Sequence, residues 1–224
     1  DLIGLYAVGG VSFGAHESQS RLFENHVGRS REFWELNFGE LHDAFPEQLD
    51  GVDAETFWRA VNRVEPGFIR VESDELTYDF HIMLRVDLEA ALIDRSVSVA
   101  ELPEAWNAKV KEYLGLDVPN DRLGVLQDVH WSSGQVGTFC NYTIGNVMAG
   151  QLFNTAKRDQ RIRDGLATAE YAPLREWMTE HVHRHGRRYT REQLLQNATG
   201  EGLEPRYYIE HLSSKYSEIY GLAS

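Results

Sequence analysis

A chain of 224 residues is long enough to bury a substantial core, as one large domain or two small ones. Its hydrophobic content of 42% and charged content of 25% are ordinary for a globular protein. The net charge of −13 argues against a nucleic-acid partner, because such partners are bound mainly through their phosphates. No apolar run approaches the ~20 residues that cross a membrane, so no membrane partner is expected. Cys140 is the one cysteine, which excludes an internal disulfide and favours a reducing cytoplasm.

The acidic charge is accompanied by few lysines, since the chain has four lysines and eighteen arginines. Abundant acid with scarce lysine suits a high-salt cytoplasm, where a strongly hydrated acidic surface aids solubility. A high-salt host is therefore one hypothesis for this composition.

Helical patterns dominate the chain. They cover residues 12–34, 53–64, 68–93, 101–114, 143–169 and 174–183, and two more helices are expected to begin at Thr190 and near Pro205. Gln193 follows Thr190 by three residues and predicts a capping box, and Gly115 predicts a left-handed helix end. Residues 119–140 have several glycines and no helical period, which indicates turns and extended segments. The sequence thus predicts an all-α fold, one helical domain over residues 1–224 that forms part of a larger body, with a small irregular or β insert around residues 119–140.

The stretch "GAHESQSRLFENH" places His16 beside Glu17 on a helical pattern. A zinc helix of the His-Glu-x-x-His type would need a second histidine at position 20, where the chain has Ser20. Glu17, Arg21 and Glu24 share one helical face, so a solvated stripe of ion pairs is the simpler interpretation. The alternative, a role for Glu17 in a chemical site, stays open on this stretch alone.

The stretch "IRVESDELTYDFHIMLR" carries a polar line at helical spacing, formed by Arg70, Asp74, Tyr78, His81 and Arg85. Apolar residues flank this line on both sides, and if both sides pack, the line faces a cleft or a buried network rather than bulk water. An arginine in such a place suits carboxylate recognition through its planar fork. A ladder of salt bridges between helices explains the pattern equally well.

The third polar stretch, "GVLQDVHW", lies in the irregular segment. If it is extended, Asp128 and His130 share one face, and Gln127, Val129 and Trp131 share the other. A histidine presented from such a segment can act as acid, base or hydrogen-bond donor near neutral pH. A structural histidine with its hydrogen bonds satisfied is the commoner case.

Taken in order, three segments resemble motifs of the carboxypeptidase Taq family of metallocarboxypeptidases. They are "HESQ" at 16–19, "IRVESD" at 69–74 and "GVLQDVHW" at 124–131, and they resemble His-Glu-Ser/Gly-Gln, Ile-Arg-x-x-Ala-Asp and Gly-x-x-Gln-Asp-x-His-Trp. The flanking segments "SRLFENHVGRSREFW", "DELTYDFHIMLR" and "KYSEIYGL" are also similar to the family's sequences. The resemblance extends from about Val11 to Leu222, which is nearly the whole chain.

The resemblance implies a mainly helical, usually dimeric enzyme that removes residues singly from peptide C-termini with a divalent metal, zinc or cobalt. It implies that Glu17 is a metal ligand and that Arg70 binds the terminal carboxylate of the substrate. His130 would stabilise the oxyanion or position the substrate, and we expect Asp74 to orient a metal-ligating histidine through a hydrogen bond. Tyr142 is a further substrate-binding candidate, although the stretch between Phe139 and Tyr142 is shorter than the family's.

The chain also departs from the family pattern. No His-Glu-x-x-His occurs in the 224 residues, and the family's Asp-x-Arg-x-Thr motif is absent too. Two of the three metal ligands, the general base and one substrate-binding arginine are thus expected to lie upstream of residue 1. The chain would then be an incomplete catalytic unit. The alternative is a non-catalytic, truncated paralogue that dimerises or binds peptides.

Overall fold

The computed structural model describes residues 3–222, and every regular element within that range is helical, as the predicted all-α class requires. The α-helices are α1 (Phe13–Arg21), α2 (Arg31–Ala44), α3 (Ala54–Val61), α4 (Tyr78–Ile93), α5 (Leu102–Leu114), α6 (Cys140–Ala156), α7 (Gln160–Leu166), α8 (Ala172–His181), α9 (Arg191–Thr199) and α10 (Arg206–Tyr220). A π-helical segment (Leu22–Gly28) and three short 3₁₀ helices (Arg70–Glu72, Trp131–Ser133 and His183–His185) complete them. None of the helices described is long and apolar enough to cross a membrane.

The chain divides into two compact units. Unit 1 contains the residues up to Asn62 and those from Ile144 onward, and unit 2 is the continuous segment Arg63–Thr143. Unit 1 therefore holds α1–α3, most of α6, and α7–α10. Unit 2 holds α4, α5, the irregular insert and the first turn of α6.

The core of unit 1 is built from the apolar faces of its helices. Leu22, Met148, Leu152 and Leu195 are all fully buried in one hydrophobic cluster. Burying a side chain of this size contributes about 1.5–3 kcal/mol relative to exposure, so these contacts dominate the stability of the unit. They also fix α1 and α6 in the structure around Glu17.

The first predicted helix, over residues 12–34, is in fact two helices with a break between them. The Ser12 hydroxyl caps α1 by accepting a hydrogen bond from the backbone N–H of Ala15. The helix then widens into the π-helical segment, which ends at Gly28. Ser30 starts α2, because its hydroxyl accepts from the backbone N–H of Phe33. The prediction of one continuous helix failed to recognise Ser30 as a cap.

Unit 2 is organised by α4 and α5, which pack through Leu84, Leu88, Trp106 and Val110. The predicted helix over residues 68–93 begins only at Tyr78. Residues before it form a 3₁₀ turn and an extended residue, and the Asp74 carboxylate then accepts the N–H of Thr77 at 2.8 Å. The polar line of Arg70, Asp74, Tyr78, His81 and Arg85 is consequently not one helical face, and that prediction was wrong for its first two members.

Several predicted helix ends are confirmed. Thr190 and Gln193 form a reciprocal capping box at the start of α9. Gly115 ends α5 in the predicted left-handed conformation, which glycine adopts without strain. Gly200 and Gly221 end α9 and α10 in the same conformation, although no such end was predicted for them. The predicted helix over residues 143–169 is interrupted, because Asp159 caps α7 through the N–H of Arg161.

Candidate functional site

Two buried arginines of unit 2 share the carboxylate of Asp128. Oδ1 of Asp128 accepts from Nε of Arg70 at 3.1 Å and from Nη2 at 2.7 Å. Oδ2 accepts from Nε of Arg85 at 2.8 Å and also from its Nη2. The Arg85 side chain is fully buried, and those of Arg70 and Asp128 are only 7% and 11% exposed. Burial of these charges is tolerated because they are paired and hydrogen-bonded, whereas burial of a single unpaired charge would be strongly unfavourable.

Burial and charge act in opposite directions on this triad. Burial raises the pKa of Asp128, but the neighbouring guanidinium groups of Arg85 and Arg70 hold it below its usual value. Burial lowers the pKa of Arg85 to about 10, so this side chain still carries its charge at neutral pH. Two cations and one anion leave the triad with a net positive charge, which favours an anionic ligand.

The segment before His130 forms turns rather than the expected extended strand. The amide of Gln127 and the carboxylate of Asp128 reach the same arginine, with Gln127 Oε1 2.9 Å from Nη2 of Arg85. Gln127 Oε1 also accepts the backbone N–H of Arg70 at 2.9 Å. No strand occurs in residues 3–222, so the insert is irregular and not β. The faces considered for an extended chain therefore do not apply to Gln127 and Asp128, since consecutive residues alternate only in extended chain.

His130 and Tyr142 meet in unit 2. Nε2 of His130 lies 3.1 Å from the Tyr142 hydroxyl, and Nδ1 lies 3.8 Å from Asp128 Oδ1. The imidazole ring also packs against Phe139, with ring centroids 4.4 Å apart. Burial lowers the pKa of His130, so the ring is neutral at pH 7 and can donate one N–H. These contacts join the predicted catalytic histidine to the predicted substrate-binding tyrosine.

Arg70 keeps donor capacity beyond its contacts with Asp128. Its Nη1 donates to the Tyr78 hydroxyl at 3.0 Å, and the guanidinium lies 4.8 Å from the centre of the Tyr142 ring. The three nitrogens thus use three of the five N–H groups of the guanidinium. Two N–H groups remain, which is the number that a bidentate carboxylate needs.

Asp74 is held by contacts close to it in the chain. Its carboxylate accepts from the backbone N–H and the hydroxyl of Thr77, at 2.8 and 2.7 Å, and from the backbone N–H of Glu65 at 3.1 Å. Asp74 therefore fixes the turn that leads into α4. Its predicted hydrogen bond to a metal-ligating histidine stays a prediction.

Glu17, the predicted metal ligand, lies on α1 in unit 1. Its Oε1 accepts from Nε of Arg21 at 2.8 Å, and Arg21 also contacts Glu24 at 3.1 Å. The predicted ion pairs are therefore present, but the side chains of Glu17 and Arg21 are only 24% and 14% exposed, so the stripe is not fully solvated. The backbone of α6 passes very close, because a Cβ added to Gly145 would lie 2.7 Å from Cβ and Cγ of Glu17.

The part of the chain that the structure describes does not form a metal site by itself. Within residues 3–222, no group of three or more histidine, cysteine, aspartate or glutamate side chains is arranged to hold a metal ion. Glu17 supplies a single carboxylate, and one ligand does not bind zinc tightly.

Two contributors to unit 2 were missed by the sequence analysis. Glu89 accepts hydrogen bonds from the insert, and Asp128 joins both arginines, yet neither had an assigned role. Glu89 follows Arg85 by four residues, so it continues the helical part of the polar line by one turn. Extending that line beyond Arg85 could have found it.

Fold and site together define a mainly helical protein with a buried arginine available to a carboxylate, beside a neutral imidazole. The chain belongs to the Carboxypeptidase Taq (M32) metallopeptidase family, whose model matches residues 1–216. It is 43% identical over 212 residues to Carboxypeptidase 1 of Bacillus subtilis and 42% identical to Thermostable carboxypeptidase 1 of Thermus thermophilus. The crystal structure of an M32 carboxypeptidase from Deinococcus radiodurans R1 superimposes with a TM-score of 0.91 at 46% identity.

These matches cover nearly all of this chain but less than half of each relative. The alignments span 94% of this chain against 42% of the Bacillus protein and 41% of the Thermus protein. The Deinococcus structure is matched over 95% of this chain and 43% of its own. The chain thus spans about two fifths of the length of its curated relatives.

Proposed function

We propose that this chain is part of a metal-dependent carboxypeptidase that releases single amino acids from peptide C-termini. The observation that carries the proposal is the buried Arg70–Asp128–Arg85 triad beside His130 and Tyr142. The triad has a net positive charge, and Arg70 has two N–H groups beyond those used by Asp128 and Tyr78. The α-carboxylate of a peptide is the anion that a carboxypeptidase must recognise.

Each predicted residue has a role in this proposal. Arg70 binds the substrate's terminal carboxylate, and Asp128 keeps the guanidinium oriented. Tyr142 contacts the substrate, and His130 donates an N–H to the oxyanion that develops on the scissile carbonyl. Asp74 orients a metal-ligating histidine supplied from outside these 224 residues.

The metal in this proposal is one divalent ion, with zinc as the first candidate and cobalt as the second. Glu17 would provide one carboxylate ligand, and its hydrogen bond from Arg21 would hold that carboxylate in place. The other ligands and the general base come from residues outside this chain. A carboxylate combined with two imidazoles suits several divalent metals, so the choice needs measurement.

The wider assembly is also part of the proposal. Both units belong to one catalytic domain, and the complete enzyme is a cytoplasmic homodimer. A single cysteine and a strongly acidic charge support the cytoplasmic location. The family resemblance supports the dimer.

The test compares Glu17→Gln with Glu24→Gln in a version of the protein extended to the length of its relatives. Both glutamates contact Arg21, so the two variants perturb the same ion-pair stripe. We expect Glu17→Gln to lower metal affinity by at least ~100-fold, measured as metal retained after dialysis, and to abolish release of C-terminal amino acids. Glu24→Gln should retain both properties. Unchanged metal content and peptidase rate in Glu17→Gln would refute the proposal.

A further inference from the structure

The loop that carries His130 is attached to α4 at two points, one on each side of the histidine. Before it, Arg85 contacts both Gln127 and Asp128. After it, Glu89 contacts Trp131 and Gly137. Arg85 and Glu89 are four residues apart on α4, so they project from neighbouring turns of one helical face.

Glu89 makes its contacts through a single buried oxygen. Oε1 accepts from the indole Nε1 of Trp131 at 2.9 Å and from the backbone N–H of Gly137 at 2.9 Å. The two donors enclose the short 3₁₀ helix and Gly134, which has a left-handed backbone. One carboxylate oxygen therefore anchors both ends of this segment, at Trp131 and at Gly137.

The carboxylate of Glu89 is buried where it contacts the loop. The residue is 5% exposed, and both hydrogen-bond donors to its Oε1 are neutral groups. Burial also lowers the pKa of His130, while the charges of Asp128 and Glu89 oppose that effect. Glu89 thus contributes to the position of His130 and, through its charge, to the pKa of His130.

The ring contacts carry the constraint from Trp131 to the histidine. Trp131 follows His130 directly, and its ring packs edge-on against Trp106 and Phe139 at centroid distances of 5.9 Å. Phe139 in turn packs against His130. By holding the indole of Trp131, Glu89 also holds Phe139, against which the imidazole of His130 packs.

We propose that Glu89 is a positioning residue for His130. It holds the 131–137 loop so that the imidazole stays beside Tyr142. This inference rests on the proposed function of His130. In this proposal Glu89 acts through the loop and not by contact with the substrate.

The test uses three substitutions on α4 and one in the loop. Glu89→Ala removes the acceptor, and Glu89→Gln keeps an acceptor oxygen at the same place. Asp87→Ala is the matched control, because Asp87 bonds to Tyr113 and Lys109 rather than to the loop. Trp131→Phe removes one donor and keeps a ring, which provides a second route if Glu89→Ala fails to fold.

The first measurement is made by NMR on the 224-residue chain and needs no activity. We expect Glu89→Ala to speed amide hydrogen exchange at Gly137 and to shift the His130 ring signals, with Trp131→Phe giving a smaller change of the same kind. Glu89→Gln and Asp87→Ala should resemble the wild type. Wild-type exchange and His130 signals in Glu89→Ala would overturn the inference.

The second measurement is made in the extended protein. We expect Glu89→Ala to lower kcat by at least ~10-fold with KM changed less than ~2-fold, and Glu89→Gln to restore most of the rate. A Glu89→Gln variant as slow as Glu89→Ala would show that placement is not the role of Glu89. If the wild type releases no amino acid, the proposed function fails, and the exchange data still decide whether Glu89 fixes the loop.

Discussion

His81 on α4 is a buried histidine whose lowered pKa makes the stability of the protein depend on pH. The side chain is 1% exposed, and its Nε2 has no hydrogen-bond partner within residues 3–222. Burial, followed by the charges of Arg85 and Arg70, lowers its pKa to about 4 from an ordinary 6.5. Between these pH values the unfolded chain binds a proton that the folded chain does not. Stability should therefore fall as the pH falls from 6.5 to 4, by roughly 3 kcal/mol from this residue alone.

Urea unfolding at pH 7, 6, 5 and 4 tests this prediction with His81→Gln. The variant should lose less stability than the wild type on acidification, because its side chain does not titrate. His42→Gln is the control, since the His42 side chain is 41% exposed. A wild-type pH dependence in His81→Gln would contradict the proposed origin of the acid sensitivity.

Gly145 on α6 allows the close approach of the backbone to Glu17. Because a Cβ there would lie 2.7 Å from two carbons of Glu17, Gly145→Ala must push α1 and α6 apart. We expect a loss of about 1–3 kcal/mol in the free energy of unfolding, the usual cost of overpacking. Gly39 on α2 is the control, because nothing lies within 4 Å of its added Cβ. Gly39→Ala should stabilise the chain by up to ~1 kcal/mol, through higher helix propensity.

The measurement is denaturant unfolding of both variants beside the wild type. In the extended protein, Gly145→Ala should also lower metal retention, because Glu17 is displaced. Equal effects of the two alanine substitutions would show that the contact between α1 and α6 is loose. If a destabilised Gly145→Ala protein retained its metal, the contact of Gly145 with Glu17 would matter for packing but not for metal binding by Glu17.

Single residues with local signals were predictable from sequence, and residues joined by the tertiary fold were not. The contact of Glu17 with Arg21 follows from helical spacing, and the Thr190 capping box follows from a short motif. The triad around Asp128 joins residues 43 and 58 positions apart. Spacing does not reveal such contacts, so Arg70 and His130 were assigned through family motifs, and Asp128 received no role.

Among the elements, helices were found correctly and their boundaries less so. Apolar periodicity predicts a helix over 68–93, but Asp74 and Thr77 form a local turn that delays the start of α4 to Tyr78. Ser30 and Asp159 interrupt two other predicted helices in the same way. Short polar side chains compete with the helix for backbone hydrogen bonds, and periodicity alone does not register that competition.

The irregular insert is the element that sequence reasoning described least well. Its glycines indicated turns, and no β-strand forms within residues 3–222. The fold of this segment depends on distant acceptors and donors on α4, chiefly Arg85 and Glu89. When a segment is held in its conformation by contacts with a distant helix, its own sequence gives little indication of that conformation.

At the scale of the whole molecule, the predicted site residues are divided between the two units. Glu17 belongs to unit 1, whereas Arg70, Asp74, His130 and Tyr142 belong to unit 2. Unit 2 contains groups suited to a carboxylate and an oxyanion. Unit 1 contains Glu17, the proposed metal ligand. In the proposed function, the residues for substrate recognition and the metal ligand therefore come from separate parts of the chain.

This division predicts how the 224-residue chain behaves without additional sequence. One carboxylate holds zinc weakly, because the affinity of such sites comes from several ligands acting together. We expect the pure, zinc-loaded chain to release no C-terminal amino acids from a peptide above the rate without protein. It should still bind a peptide with a free C-terminal carboxylate, and bind the C-terminally amidated peptide more weakly, because Arg70 and its triad lie within unit 2.

Mass spectrometry of the released amino acids and calorimetry with the paired peptides make the two measurements. Arg70→Lys should abolish the preference for the free carboxylate, since an ammonium group lacks the planar fork. Arg29→Lys, in unit 1, is the control and should keep that preference. Turnover by the zinc-loaded chain alone would mean that these residues suffice for catalysis. Equal binding of the two peptides would instead remove Arg70 from substrate recognition, since the Asp128 contacts would then be its whole role.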